Sequence, residues 1–140
     1  MARPPVLFLQ PRFENGLLNP LVLVVDDNPD FLEMLEMLLS NNGYRVITAE
    51  NGFQALALLE SNHPDVVVLD IMMPERTGIE VLEQIRWNEE WVDLPVICLS
   101  AISFNGESVD FIEEFSVGLV DKADLDDLLK KLKEALPQAG

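Results

Sequence analysis

Five short apolar runs, at residues 21–25, 44–48, 66–69, 95–99 and 117–120, alternate with five stretches whose apolar residues recur every three or four positions, at 31–39, 53–59, 79–85, 109–115 and 125–136. The first kind suits strands buried on both faces, the second amphipathic helices. Strands separated by helices run parallel, and right-handed crossovers place those helices on both faces of one sheet. The expected fold is therefore α/β, doubly wound, with a five-stranded parallel sheet. Pro29 suits a first helical turn, Asn41-Asn42-Gly43 a helix end, Glu50-Asn51-Gly52 a turn, and Pro137 the close of the last helix.

Residues 1–20 carry Pro4, Pro5, Pro11 and Pro20 without a sustained period, which predicts an irregular arm or a cloning remnant. The domain is expected over 21–137, with a tail at 138–140. With 140 residues, 49% of them hydrophobic, the chain has material for one full core.

The balance of 25 acidic against 9 basic residues, a net charge of −16, repels phosphate backbones and anionic lipid surfaces. Direct nucleic-acid and membrane binding are thereby disfavoured. No apolar run approaches the roughly 20 residues that span a bilayer, and Val6-Leu7-Phe8-Leu9 is too short for a signal-peptide core. A soluble, cytoplasmic protein is expected. The lone cysteine, Cys98, lies within an apolar run and reads as a small buried hydrophobe.

Ligands of open α/β sheets collect outside the carboxyl ends of the strands. The first predicted strand is followed by Asp26-Asp27, the third by Asp70, the fourth by Ser100 and the fifth by Asp121-Lys122. Any one aspartate alone would be unremarked as a helix cap or turn residue. Together at one sheet edge they are another matter, because two carboxylates about 4 Å apart repel by about 4 kcal/mol at an effective dielectric near 20. A shared cation relieves that repulsion. Hard oxygen donors without a His/Cys cluster point to Mg²⁺, with Mn²⁺ as the alternative, rather than zinc. His63, in Ser61-Asn62-His63-Pro64-Asp65, falls in a loop at the opposite edge and reads as a surface residue.

Four blocks, Val24-Val25-Asp26-Asp27-Asn28, Val67-Val68-Leu69-Asp70-Ile71-Met72-Met73-Pro74 with Gly78, Leu99-Ser100-Ala101, and Lys122, resemble in order and approximate spacing the motifs of response regulator receiver domains. The resemblance covers about residues 21–136. It implies a flavodoxin-like (βα)₅ fold with strand order 2-1-3-4-5 and a role in two-component phosphorelay signalling. Asp70 would be the phosphoacceptor, and Mg²⁺ would be held by Asp26, Asp27, Asp70 and the backbone carbonyl of Met72. Ser100 would donate a hydrogen bond to the phosphoryl group and Lys122 a fixed positive charge. A sensor histidine kinase or a histidine phosphotransfer protein would act upstream, an effector protein or domain downstream. The domain would be no enzyme beyond its own phosphorylation and dephosphorylation. As the sequence ends with the fifth helix, it is expected to be a stand-alone regulator or a domain of something longer.

Two positions depart from the family pattern. Receivers usually carry an aromatic residue three positions before the lysine, where this chain has Leu119, and proline after the lysine, where it has Ala123. A cis bond after Lys122 would cost about 2.5–4 kcal/mol without proline, against about 0.5–1 with it, so the loop is expected to be trans or strained. A modified output follows from Leu119. The chief rival is a pseudo-receiver that binds partners without phosphorylation. A dehalogenase-like phosphatase requires D-x-D after the first strand, which Asp26-Asp27-Asn28 does not supply, and no phosphate-cradling glycine motif follows any strand.

Overall fold

The structure is a computed structural model that describes residues 13–14, 17–73, 78–101 and 107–136. Its elements are β1 (Leu21–Val25), α1 (Pro29–Asn41), β2 (Arg45–Ala49), α2 (Gly52–Asn62), β3 (Val66–Asp70), α3 (Gly78–Arg86), β4 (Val96–Ser100), α4 (Glu107–Phe115), β5 (Gly118–Asp121) and α5 (Leu125–Ala135). The five strands pair in parallel in the order β2-β1-β3-β4-β5, the expected 2-1-3-4-5 flavodoxin-like arrangement. Among the described residues, no helix is long and apolar enough to cross a membrane.

Every residue of β1, β3 and β4 is buried, because both sheet faces are covered. The two-residue period sorts their side chains into two cores. Leu23, Val25, Val67, Leu69, Val96 and Cys98 pack with Ala55 and Leu59 of α2, Val81, Leu82 and Ile85 of α3, and Ile112 of α4. On the other face Val22, Val24, Val66, Val68, Ile97, Leu99 and Val120 meet Leu32, Leu35 and Leu39 of α1 and Leu128 and Leu132 of α5.

The boundaries differ from the expected ones for local reasons. Asn28 caps α1 by accepting hydrogen bonds from the amides of Asp30 and Phe31, so the helix starts at Pro29, ahead of its first apolar residue. The ladders of β3, β4 and β5 run on into Asp70, Ser100 and Asp121, with Asp70 opposite Leu99 and Ser100 opposite Asp121. Polar residues that periodicity leaves outside the strands are thus held in register by the sheet. At its far end α5 stops at Ala135, and Leu136 is extended at φ −113°, ψ 148°, as sterics favour for a residue that precedes proline.

Within the stretch expected to be irregular, Phe13–Glu14 and Leu17–Leu18 form a two-residue antiparallel pair, Phe13 opposite Leu18 and Glu14 opposite Leu17. Pro4, Pro5, Pro11, Pro74, Pro137 and the tail at 138–140 lie outside the described residues.

Candidate phosphoacceptor and cation site

The site forms where β1, β3, β4 and β5 end. Asp26 follows β1; its amide donates to the Ala49 carbonyl at 3.1 Å, and its Oδ1 accepts from the Asn28 amide at 2.9 Å. This side-chain turn reverses the chain into the α1 cap and leaves Asp26 fully buried while Asp27 faces solvent. Asp70, the last residue of β3, is 2% exposed, and its Oδ1 accepts from the Met72 amide at 2.9 Å. Met72 itself is half exposed. Ser100, 1% exposed, ends the neighbouring strand, and its carbonyl accepts from the Lys122 amide at 2.9 Å.

Lys122 enters from the residue after β5. Its Nζ lies 2.5 Å from Asp26 Oδ2 and 3.4 Å from Asp70 Oδ2, and 4.6 Å from the centre of the Phe31 ring. The ammonium thus pairs more closely with Asp26 than with Asp70. Asp26 Oδ2 is a buried oxygen whose partner is the Lys122 ammonium of this ion pair. Carboxylate oxygens of Asp26, Asp27 and Asp70 all lie within 4.8 Å of one another. Three converging carboxylates against one ammonium form a donor set suited to a hard divalent cation.

Burial is the main influence on Asp70 and raises its carboxyl above the ordinary range. The Met72 amide opposes this, the Asp26 charge reinforces it, and Lys122 opposes it. Burial pulls Lys122 down, but the hydrogen-bonding and charge contributions of Asp26 together with the charge of Asp70 outweigh it and leave the ammonium above its usual range. Both carboxylates therefore hold Lys122 in its charged form.

The strands bring Asp26, Asp70, Ser100 and Lys122 together, with Asp27 at the rim and Met72 tied to Asp70 through its amide. His63 is kept away: it is exposed at the C-terminal end of α2, with φ 52°. Among the described residues there are no cis peptide bonds, so Lys122–Ala123 is trans. The Ala123 amide, a donor that proline would lack, gives a 2.8 Å hydrogen bond to Asp121 Oδ1. Leu119 is partly buried and packs against the same core as Phe111 and Phe115.

Two contributors escaped the sequence reading or were read only as part of a motif. Phe31 could be seen as an aromatic in the first turn of a helix starting at the site, but not as the ring beneath Lys122. Gly78, quoted within the motif, has a specific reason for being glycine: a Cβ there would stand 2.2 Å from the Asp70 carbonyl oxygen and 2.4 Å from Ile71 Cα. The N-terminus of α3 rests directly on the backbone that presents Asp70.

The family model described as "Response regulator receiver domain" matches residues 22–133. The transcriptional regulatory protein KdpE of Mycobacterium tuberculosis is 38% identical over 117 residues, covering 83% of this chain and 50% of the relative. Response regulator MprA of a Mycobacterium species, strain KMS, is 39% identical over 116 residues, 82% of this chain and 50% of the relative. The chain spans about half the length of these curated relatives. Among solved structures, response regulator TrrA of Thermotoga maritima in complex with Mg²⁺-BeF superposes with a TM-score of 0.74 at 38% identity, covering 84% of this chain and 99% of that one. Chemotaxis protein CheY4 of Vibrio cholerae gives a TM-score of 0.77 at 29% identity, covering 84% and 99%. With these matches spanning the sheet and every strand end that builds the site, the chain belongs to the response regulator receiver domain family.

Proposed function

We propose that this receiver domain accepts a phosphoryl group on Asp70 and that the modified domain changes its affinity for a partner. The observation that carries the reading is the convergence of Asp26, Asp27 and Asp70 within 4.8 Å, beside the Lys122 ammonium. A Mg²⁺ or Mn²⁺ ion held by these three carboxylates and the Met72 carbonyl would supply charge neutralisation for the phosphoryl oxygens.

The residues of the chain divide the remaining work. The Met72 amide holds Asp70 Oδ1 at 2.9 Å, and Oδ2 lies 3.4 Å from the Lys122 ammonium, so the carboxylate that would act as the nucleophile is fixed on both oxygens. Attack of a carboxylate oxygen on phosphorus forms the aspartyl phosphate as the bond from phosphorus to the donor breaks. The donor departs with its electron pair. Lys122 provides a positive charge beside the incoming oxygens, and the Ser100 hydroxyl, at the end of the adjacent strand, a hydrogen bond. A sensor histidine kinase or a phosphotransfer protein would be the physiological donor, by the chemistry of the family, and an effector protein or domain the reader.

Leu119 and Ala123 favour an output different from that of receivers with an aromatic residue and a proline at these positions. Leu119 offers no aromatic ring to rotate, and the Ala123 amide is committed to Asp121. The decisive test is incubation with Mg²⁺ and phosphoramidate followed by intact mass measurement. The wild type is expected to gain one phosphoryl group, while Asp70→Asn and a chelated sample gain none. No gain in the wild type, repeated with a phosphohistidine donor, would favour the pseudo-receiver.

A further inference from the structure

We propose that Phe31 is a positioning residue for Lys122, its ring face holding the ammonium between Asp26 and Asp70 so that its protons stay available to the phosphoryl group; the inference rests on Asp70 being the phosphoacceptor. Lys122 carries a compact charge on a flexible four-carbon stem, which by itself does not fix the position of Nζ. Its side chain is 20% exposed, so packing alone does not enclose it. The Phe31 ring lies 4.6 Å from Nζ, within the distance at which the negative face of an aromatic ring attracts a cation.

The ring is itself well placed to act as a fixed wall. The Phe31 amide is bound at 3.2 Å by the Asn28 cap, and its side chain packs against the core between the sheet and helices α1 and α5. Asn28 in turn donates its amide to Asp26 Oδ1 at 2.9 Å. One short segment, Asp26 to Phe31, therefore supplies both the carboxylate that attracts the ammonium and the ring that limits where it goes. An aromatic face also differs from a third carboxylate in a useful way. It attracts the charge without accepting a directed hydrogen bond, so it leaves the N–H donors of Lys122 for oxygen atoms.

A purely structural role for Phe31 would make its loss felt whatever residue stands at 122, and a double-mutant cycle separates the two cases. Phosphorylation by phosphoramidate with Mg²⁺ is followed by intact mass in wild type, Phe31→Leu and Phe31→Trp, each also in a Lys122→Ala background. Phe31→Leu is expected to slow the wild-type reaction about 2- to 10-fold, Phe31→Trp to restore it, and neither to matter once Lys122 is gone. Without any phosphodonor, NMR of the unmodified protein should show the Lys122 ε-methylene protons shifted upfield by the ring, and Phe31→Leu should return them to the ordinary lysine position.

Equal rates for Phe31→Leu and wild type, or the same loss with and without Lys122, overturn the proposal. So do Lys122 ε-methylene protons at the ordinary position in the wild type. A wild type that cannot be phosphorylated removes the phosphoacceptor reading instead, while the NMR measurement still decides the contact. If Lys122→Ala abolishes the reaction entirely, the NMR shift decides.

Discussion

Cys98 and Ala123 show how much a single position depends on what surrounds it. Burial among apolar side chains pushes the Cys98 thiol up to about 12, against the smaller opposing effects of Ser116 and Arg86. The unfolded chain, with a thiol near about 8.5, gives up its proton first, so it binds fewer protons than the folded state above that pH. Stability is therefore unaffected by this group below about pH 8.5 and falls as pH rises toward 12. Urea midpoints measured at pH 8 and pH 10 should show the decline, and it should be smaller in Cys98→Ser. A thiol reagent at pH 8 should label the unfolded protein and spare the native one. At position 123, proline is usually stabilising only where the amide is unbonded. Here the amide binds Asp121 Oδ1 at 2.8 Å, so Ala123→Pro should lower stability by about 0.5–1.5 kcal/mol in urea unfolding. A gain in stability would show that the turn does not depend on that bond.

At the scale of elements, the junction between β3 and α3 is the tightest constraint on the site. Gly78 opens α3 against the Asp70 carbonyl, and its own amide donates to the Ile71 carbonyl at 3.3 Å. Because the obstruction is backbone rather than a movable side chain, Gly78→Ala must shift either the helix or the strand end. It should cost about 1–3 kcal/mol, as overpacking does, and slow phosphorylation of Asp70 by more than its stability loss explains. Circular dichroism melts alongside phosphorylation rates at a temperature where the variant is folded would separate the two effects. An unchanged rate would mean that α3 moves and Asp70 does not.

The whole molecule carries a charge of −16, and its site adds local repulsion among three carboxylates, two of them buried. Added salt should raise the melting temperature modestly by screening the general repulsion. Mg²⁺ should raise it further than NaCl at the same ionic strength, because a ligand of the folded state stabilises by about 2.7 kcal/mol at a hundredfold excess over its dissociation constant. Asp27→Asn, at an exposed position, should remove the Mg²⁺ increment and keep the salt effect. A Mg²⁺ effect equal to that of NaCl in the wild type would count against a specific cation site.

The layout of the chain was legible residue by residue: apolar periods marked the five strands and five helices, and Asp26, Asp27, Asp70, Ser100 and Lys122 stood out because they follow strands whose carboxyl ends share one edge. Those signals are local, carried by neighbours in sequence and by the spacing of side chains on a helix or strand. Which carboxylate Lys122 approaches more closely, the ring beneath its ammonium and the backbone against which Gly78 packs were not legible. They depend on distances between elements far apart in the chain, which exist only once the sheet has set its register and the two cores have fixed the helices against it.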